Sequence, residues 1–191
     1  MQICVYGASS NEIDPRYLQA GEALGEEMAR RGHGLVFGGG ASGMMGAVAR
    51  GMTRGGGSIL GVAPSFFNVD GILYDKCTEF IYTETMRQRK SIMEERADAF
   101  IMTPGGIGTF EEFYEILTLR QLGRHNKSIA ILNTLDYYQP LMEMQERAMD
   151  QGFMKEACRD LCAWFDDPAR LLDYLEQDVA APMDVRHLKN I

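Results

Sequence analysis

Residues Thr103 to Phe113 read TPGGIGTFEEF. Gly105, Gly106 and Gly108 leave backbone N–H groups unshielded, and such groups at the start of a helix attract anions. Ile107 and Thr109 complete the loop, and the threonine adds a hydroxyl. A phosphate fits these residues. The acidic pair Glu111 and Glu112 follows at once and would repel it. A carboxylate suits different work, such as proton transfer or the stabilisation of a developing cation. A purely structural reading is also open. Thr109-Phe110-Glu111-Glu112 has the form of a capping box, with a hydroxyl at N-cap and a carboxylate at N3. Carboxylates in a first turn gain about 0.3–1 kcal/mol from the helix dipole.

Met86-Arg87-Gln88-Arg89-Lys90 sets three cations at a predicted helix start, the end where the dipole disfavours them. They call for an anion, either a ligand or acidic neighbours such as Glu94 and Glu95. At about 100° per residue, Arg87, Arg89 and Lys90 cannot all face one ligand. Two further loops qualify. Gly7-Ala8-Ser9-Ser10-Asn11 combines small residues with the hydroxyls of Ser9 and Ser10. It reads equally as a ligand loop or as a turn capped by Ser10 or Asn11. Gly38-Gly39-Gly40-Ala41-Ser42-Gly43 matches G-x-G-x-x-G, but it follows the second strand rather than the first. The next strand ends Gly61-Val62-Ala63-Pro64-Ser65, without the acidic residue that a dinucleotide ribose requires. A nicotinamide cofactor is therefore disfavoured. No Lys precedes Thr109 as a Walker A loop demands, which disfavours nucleoside triphosphate hydrolysis.

These loops need elements to hold them. Apolar runs predict strands over Ile3–Tyr6, Leu35–Phe37, Ser58–Val62, Glu79–Tyr82, Ala99–Met102 and Ser128–Leu132, with a weaker one over Leu161–Phe165. Helical patterns fall over Pro15–Arg31, Met44–Arg54, Thr85–Arg96, Thr109–Leu122, Tyr137–Asp150 and Pro168–Gln177. The alternation predicts an α/β fold, a Rossmann-like doubly wound parallel sheet with helices on both faces. In such a sheet ligands bind at the carboxyl ends of the strands, where the strand order reverses.

The 191 residues suit a single domain spanning 1–191, with 179–191 a loose or docking tail. The formal net charge of -8 argues against nucleic acid. Neither a basic leader nor a long apolar stretch is visible, so no membrane association and a cytoplasmic setting are expected. Cys4, Cys77, Cys158 and Cys162 form no CxxC, and His33, His125 and His187 are scattered. Reduced core cysteines and no metal site are expected.

Taken together, Pro104-Gly105-Gly106-Ile107-Gly108-Thr109-Phe110-Glu111-Glu112 fits PGGxGTxxE, and Met86 with Arg89-Lys90 fits M-x-x-R-K. Gly38-Gly39-Gly40 followed by Gly43-Met44-Met45-Gly46 adds a matching glycine-rich loop. In these motifs the chain resembles the LONELY GUY (LOG) family of cytokinin riboside 5′-monophosphate phosphoribohydrolases, whose members often carry a lysine decarboxylase-like label. The similarity runs from Cys4 to about Phe153. It implies hydrolysis of the N-glycosidic bond of a nucleoside 5′-monophosphate to a free base and ribose 5-phosphate. It further implies a homodimer with sites near the interface, no cofactor, Arg89 and Glu112 as the essential pair, and Gly105 to Thr109 as the phosphate cradle. Two positions depart from the family pattern. Arg87 stands where His is frequent, and Pro64-Ser65-Phe66-Phe67 is apolar where some plant members carry a substrate-binding Glu. A cytokinin riboside monophosphate and plain AMP are both open as substrates.

Two rival readings use the same residues. A non-catalytic carrier or sensor of a nucleotide or phosphate-bearing cofactor would need only the glycine loops. A pyridoxal-phosphate decarboxylase would need a Schiff-base lysine, for which Lys90 is the sole neighbour of the site.

Overall fold

The computed structural model describes residues 1–177 and Leu188. Seven strands and six helices alternate along it: β1 (Gln2–Tyr6), α1 (Pro15–Arg30), β2 (Gly34–Phe37), α2 (Gly43–Arg54), β3 (Ile59–Pro64), β4 (Glu79–Thr83), α3 (Met86–Arg96), β5 (Ala99–Met102), α4 (Ile107–Gln121), β6 (Ser128–Leu132), α5 (Gln139–Asp150), β7 (Ala163–Phe165) and α6 (Pro168–Gln177). All strands pair in parallel, in the order β4-β3-β2-β1-β5-β6-β7. The Rossmann-like expectation is met. The expected tail at 179–191 lies outside the described residues except at Leu188, which is buried and whose carbonyl accepts a hydrogen bond from the Cys158 thiol.

β2, β3, β5 and β6, and β1 after Gln2, are buried on both faces, which is why they read as continuous apolar runs, while the edge strands β4 and β7 stay partly exposed. Cys4, Val36, Phe100 and Ile129 point to one face and pack with Met93 of α3 and with Phe113 and Ile116 of α4. The alternate residues Ile3, Leu35, Ile101 and Ala130 face Leu24 and Met28 of α1, Val48 and Met52 of α2, and Leu171 and Leu172 of α6. α1 and α2 approach closely because two glycines lie at their crossing. A Cβ on Gly25 would stand 2.1 Å from the Val48 carbonyl oxygen, and one on Gly51 would stand 2.1 Å from that of Glu22.

The strand order reverses at β1, which is flanked by β2 and β5. The chain leaving β1 and the chain leaving β5 therefore diverge to opposite sides and open a crevice between them. Thr103 ties the two ends together at its rim, its N–H and its hydroxyl both donating to the Tyr6 carbonyl at 2.9 Å.

Candidate active site

A cleft of about 650 Å³ occupies this crevice. Its walls are Gly7 to Ser10 after β1, Gly38, Gly40 and Ser42 after β2, and Gly106 to Thr109 at the start of α4, with Arg89 and Glu112 between them. A smaller cavity of about 390 Å³ lies along β4 and α3, lined by Tyr82, Thr83, Glu84, Gln88, Ser91 and Ile92, and it contains neither member of that charged pair.

The start of α4 corrects the capping-box expectation. The N-cap is Gly106, and Thr109 and Glu112 both lie inside the helix. Gly106 has no side chain to cap with, so the first N–H groups of the helix, those of Ile107, Gly108 and Thr109, have neither an intrahelical acceptor nor an N-cap side chain. All three residues line the cleft. The capping box of this region belongs to α3 instead, where the Thr85 hydroxyl accepts from the Gln88 N–H and the Gln88 side chain accepts from the Thr85 N–H. Thr109 is buried, and its side chain lies over Gly105, where a Cβ would come within 2.1 Å of its hydroxyl oxygen.

One turn into α4, Glu112 is only 9% exposed and Arg89 6%. Arg89 Nη1 donates to Glu112 Oε1 at 2.6 Å, and Arg89 Nε donates to the Val62 carbonyl at 3.1 Å. The cation at the wrong end of α3 thus finds its anion on α4. A neighbouring guanidinium is expected to lower a carboxyl's pKa. It does pull the pKa down, but burial is the larger effect, and Glu112 sits above the ordinary glutamate value of 4.5. Lys90 finds its anions outside the cleft. Its ammonium pairs with Glu111, and with Glu115 Oε2 at 2.6 Å, rather than with Glu94 or Glu95.

The sequence candidates therefore separate. Arg89, Glu112, Met86, Ser9, Ser10, Gly40, Gly106, Ile107, Gly108 and Thr109 meet in the cleft. Lys90 and Glu111 form an ion pair beyond it, Gly105 lies behind the loop, and Gly39 packs against the Phe80 ring with φ +76°. Gly43 (φ +62°) receives the Asn11 side-chain oxygen on its N–H at 2.8 Å, which braces the first loop against the second. Gly38 is excluded from carrying a side chain by Arg89 itself, because a Cβ there would stand 1.9 Å from Nη2.

One wall was not legible in the sequence. Phe67, Ile72 and Leu73 close the far side with Met45 and Met86. They sit on a strap between β3 and β4 that is held to the second loop by Ala41 N–H to the Ile72 carbonyl (2.9 Å) and Tyr74 N–H to the Gly39 carbonyl (2.8 Å). The strap has no periodic pattern. Its readable signals are Gly71 and the apolar pair Phe66-Phe67.

A parallel α/β sheet with its cleft at the strand switch, opened by glycine loops and a bare helix start, defines the Rossmann-like class of ligand-binding folds. Residues 45–175 match the family described as "Possible lysine decarboxylase". The cytokinin riboside 5′-monophosphate phosphoribohydrolase LOG2 of Arabidopsis thaliana is 36% identical over 93% of this chain and 84% of its own. The enzyme of that name from Rhodococcoides fascians is 42% identical over 75% of this chain and 73% of its own. The chain belongs to the LOG family. Among solved structures, the molybdenum cofactor carrier protein of Chlamydomonas reinhardtii superposes with a TM-score of 0.71 at 23% identity, covering 94% of this chain and 98% of that one. At that identity the likeness is one of fold.

Proposed function

We propose that this protein is a phosphoribohydrolase that cleaves the N-glycosidic bond of a nucleoside 5′-monophosphate. The observation that carries the reading is the buried Arg89–Glu112 pair, set one helical turn from the bare N-terminus of α4 inside a single cleft. The N–H groups of Ile107 to Thr109 would take the 5′-phosphate. The ribose then extends toward Glu112, and the base toward the apolar wall of Met45, Met86, Phe67 and Ile72.

Cleavage breaks the bond between C1′ and the base nitrogen, and the electron pair leaves with the base, which takes up a proton. Positive charge develops on the ribose, as in other glycosidic hydrolyses. An ionised Glu112 stabilises that charge and accepts the proton of the water that attacks C1′. Arg89 holds the carboxylate in place and adds a positive charge beside the nucleotide. The relatives' printed activity supports this assignment. So does the apolar wall, which suits a base rather than a second charged group.

The decarboxylase description finds no support in the cleft, since Lys90 is ion-paired outside it. A carrier of the same fold would need only the glycine loops, and the absence or presence of base release separates it from a hydrolase. The homodimer implied by the family and the cytoplasmic setting expected from the sequence belong to this reading. Among the described residues no helix is long and apolar enough to cross a membrane.

The test is a panel of nucleoside monophosphates, with AMP and an N6-prenylated analogue among them, assayed for free base and ribose 5-phosphate. Stoichiometric release of both is expected from at least one. Tight binding with no release from any would establish the carrier instead. Gly38→Ala should act at a distance. The added methyl displaces the Arg89 guanidinium, and a misplacement of about 1 Å lowers turnover by roughly a hundredfold. Unchanged turnover in that variant would mean the Arg89 geometry is irrelevant.

A further inference from the structure

The loop that precedes α4 is fastened by its carbonyls. Tyr138 donates its hydroxyl to the Thr103 carbonyl at 2.8 Å, the Ala8 N–H donates to the Pro104 carbonyl at 3.1 Å, and Tyr137 donates its hydroxyl to the Gly105 carbonyl at 2.7 Å. Three consecutive peptide oxygens are thus drawn to partners outside the loop. In a trans peptide the N–H points opposite to the C=O. The Thr103–Pro104 peptide has no N–H and Gly105 does not line the cleft, so the tether that bears on the site is the one Tyr137 makes: holding the Gly105 oxygen fixes the direction of the Gly106 N–H, just before the bare start of α4.

The tyrosines are themselves held at a strained place. Leu135 and Asp136 have φ of 55° and 54°, a left-handed backbone that non-glycine residues rarely adopt. Such strain persists only where the surroundings enforce it, and it clusters at functional sites. Here Asn133 enforces it. Its N–H donates to the Phe165 carbonyl at 2.7 Å, and its side-chain oxygen accepts from the Tyr138 N–H at 2.7 Å. Tyr138 is fully buried, and Tyr137 stacks edge-on against Tyr17 and Tyr138. A helix that simply followed β6 would not need this kinked turn. The turn is what brings two adjacent hydroxyls under the loop.

We propose that Tyr137 is a positioning residue for the anion-binding loop, setting the Gly106 N–H toward the phosphate without touching the substrate, while Tyr138 braces the chain just before it. This rests on the nucleotide reading of the cleft, but the test does not require turnover. Tyr137→Phe removes one tether and keeps the ring stack, and Tyr138→Phe removes the other. Dissociation constants for AMP and for inorganic phosphate, together with the melting midpoint, are measured on the wild type and both variants. For Tyr137→Phe, about tenfold weaker binding of both AMP and phosphate is expected at an unchanged melting midpoint, the size of effect that follows from losing one hydrogen bond. Tyr138→Phe, which leaves the buried Thr103 carbonyl without its donor, should lower the melting midpoint and serves as the structural comparison. Three results overturn the proposal: unchanged affinity for phosphate in Tyr137→Phe, weakening of AMP without weakening of phosphate, or weakening in Tyr137→Phe that appears only with a lowered melting midpoint. If the wild type itself binds neither ligand, the proposal falls. If it binds AMP but releases no base, only the hydrolase reading falls.

Discussion

Glu112→Gln is expected to abolish base release, by a factor between about 10² and 10⁴, in a protein that still folds. The amide is nearly isosteric and still offers Arg89 an oxygen, but it can neither accept a proton nor balance a cationic ribose. The pKa direction sharpens the expectation. Because burial raises the Glu112 carboxyl above its unfolded value, folding favours its protonated form. Its contribution to stability is complete below the unfolded pKa and is lost as pH rises through the folded one. At neutral pH the ionised carboxylate therefore opposes folding, and Gln, which resembles the protonated form, does not. Against that gain, Gln leaves the buried Arg89 cation without its counter-charge, so the melting midpoint of Glu112→Gln should stay near that of the wild type at neutral pH. On the proposed mechanism, activity in the wild type requires the ionised form. The acid limb of kcat/KM should then lie above the ordinary glutamate range of about 4.5. A variant that no longer folds would favour a structural role for Glu112, and one that retains turnover would sink the catalytic assignment.

Arg89→Ala should be damaging in two ways at once. Truncation leaves a buried carboxylate without its cation and the Val62 carbonyl without its donor, and breaking one side of a buried ion pair costs about 3–5 kcal/mol. Without Arg89 the one strong downward pull on Glu112 is gone, so the carboxyl is protonated over a wider pH range. Protonation limits the stability loss but removes the working form of the acid. Turnover should fall at least as far as in Glu112→Gln, and the melting midpoint should fall with it. Arg89→Lys separates the two effects. A single ammonium can neutralise Glu112 but cannot also reach Val62 in the geometry of the planar fork. Recovery of stability without recovery of activity is expected from thermal melts and base-release assays. Near-normal turnover in Arg89→Ala would show that the pair is structural only.

The strands were legible because burial on both faces leaves an unbroken apolar signature, and β5 and β6 fall where Ala99–Met102 and Ser128–Leu132 predict them. The meeting of Arg89 with Glu112 followed from motif resemblance. Helical spacing alone could not say which of Arg87, Arg89 and Lys90 turns inward. The start of α4 was misplaced for a physical reason. Glycine at N-cap has no side chain to announce it, whereas Thr109 and Glu112 imitate a cap two to three residues later. Tyr137 read as a helix start, yet α5 begins at Gln139 because the backbone first turns left-handed at Leu135 and Asp136. Nothing in the types Leu and Asp signals that turn. The Phe67 to Leu73 wall was hidden because a strap held by backbone hydrogen bonds carries no periodic pattern.

The route of α3 has one more consequence. After β4 at the outer edge, the chain must travel back past β3, β2 and β1 to place β5, and α3 makes that return while carrying Arg89. Arg89 ends the first half of the sheet's construction, and Glu112 opens the second. The two charges become neighbours only when both halves are joined in the right order. The carboxylate and its counter-ion thus keep a record of assembly, and a chain with a mispaired or missing half would leave each charge without the other.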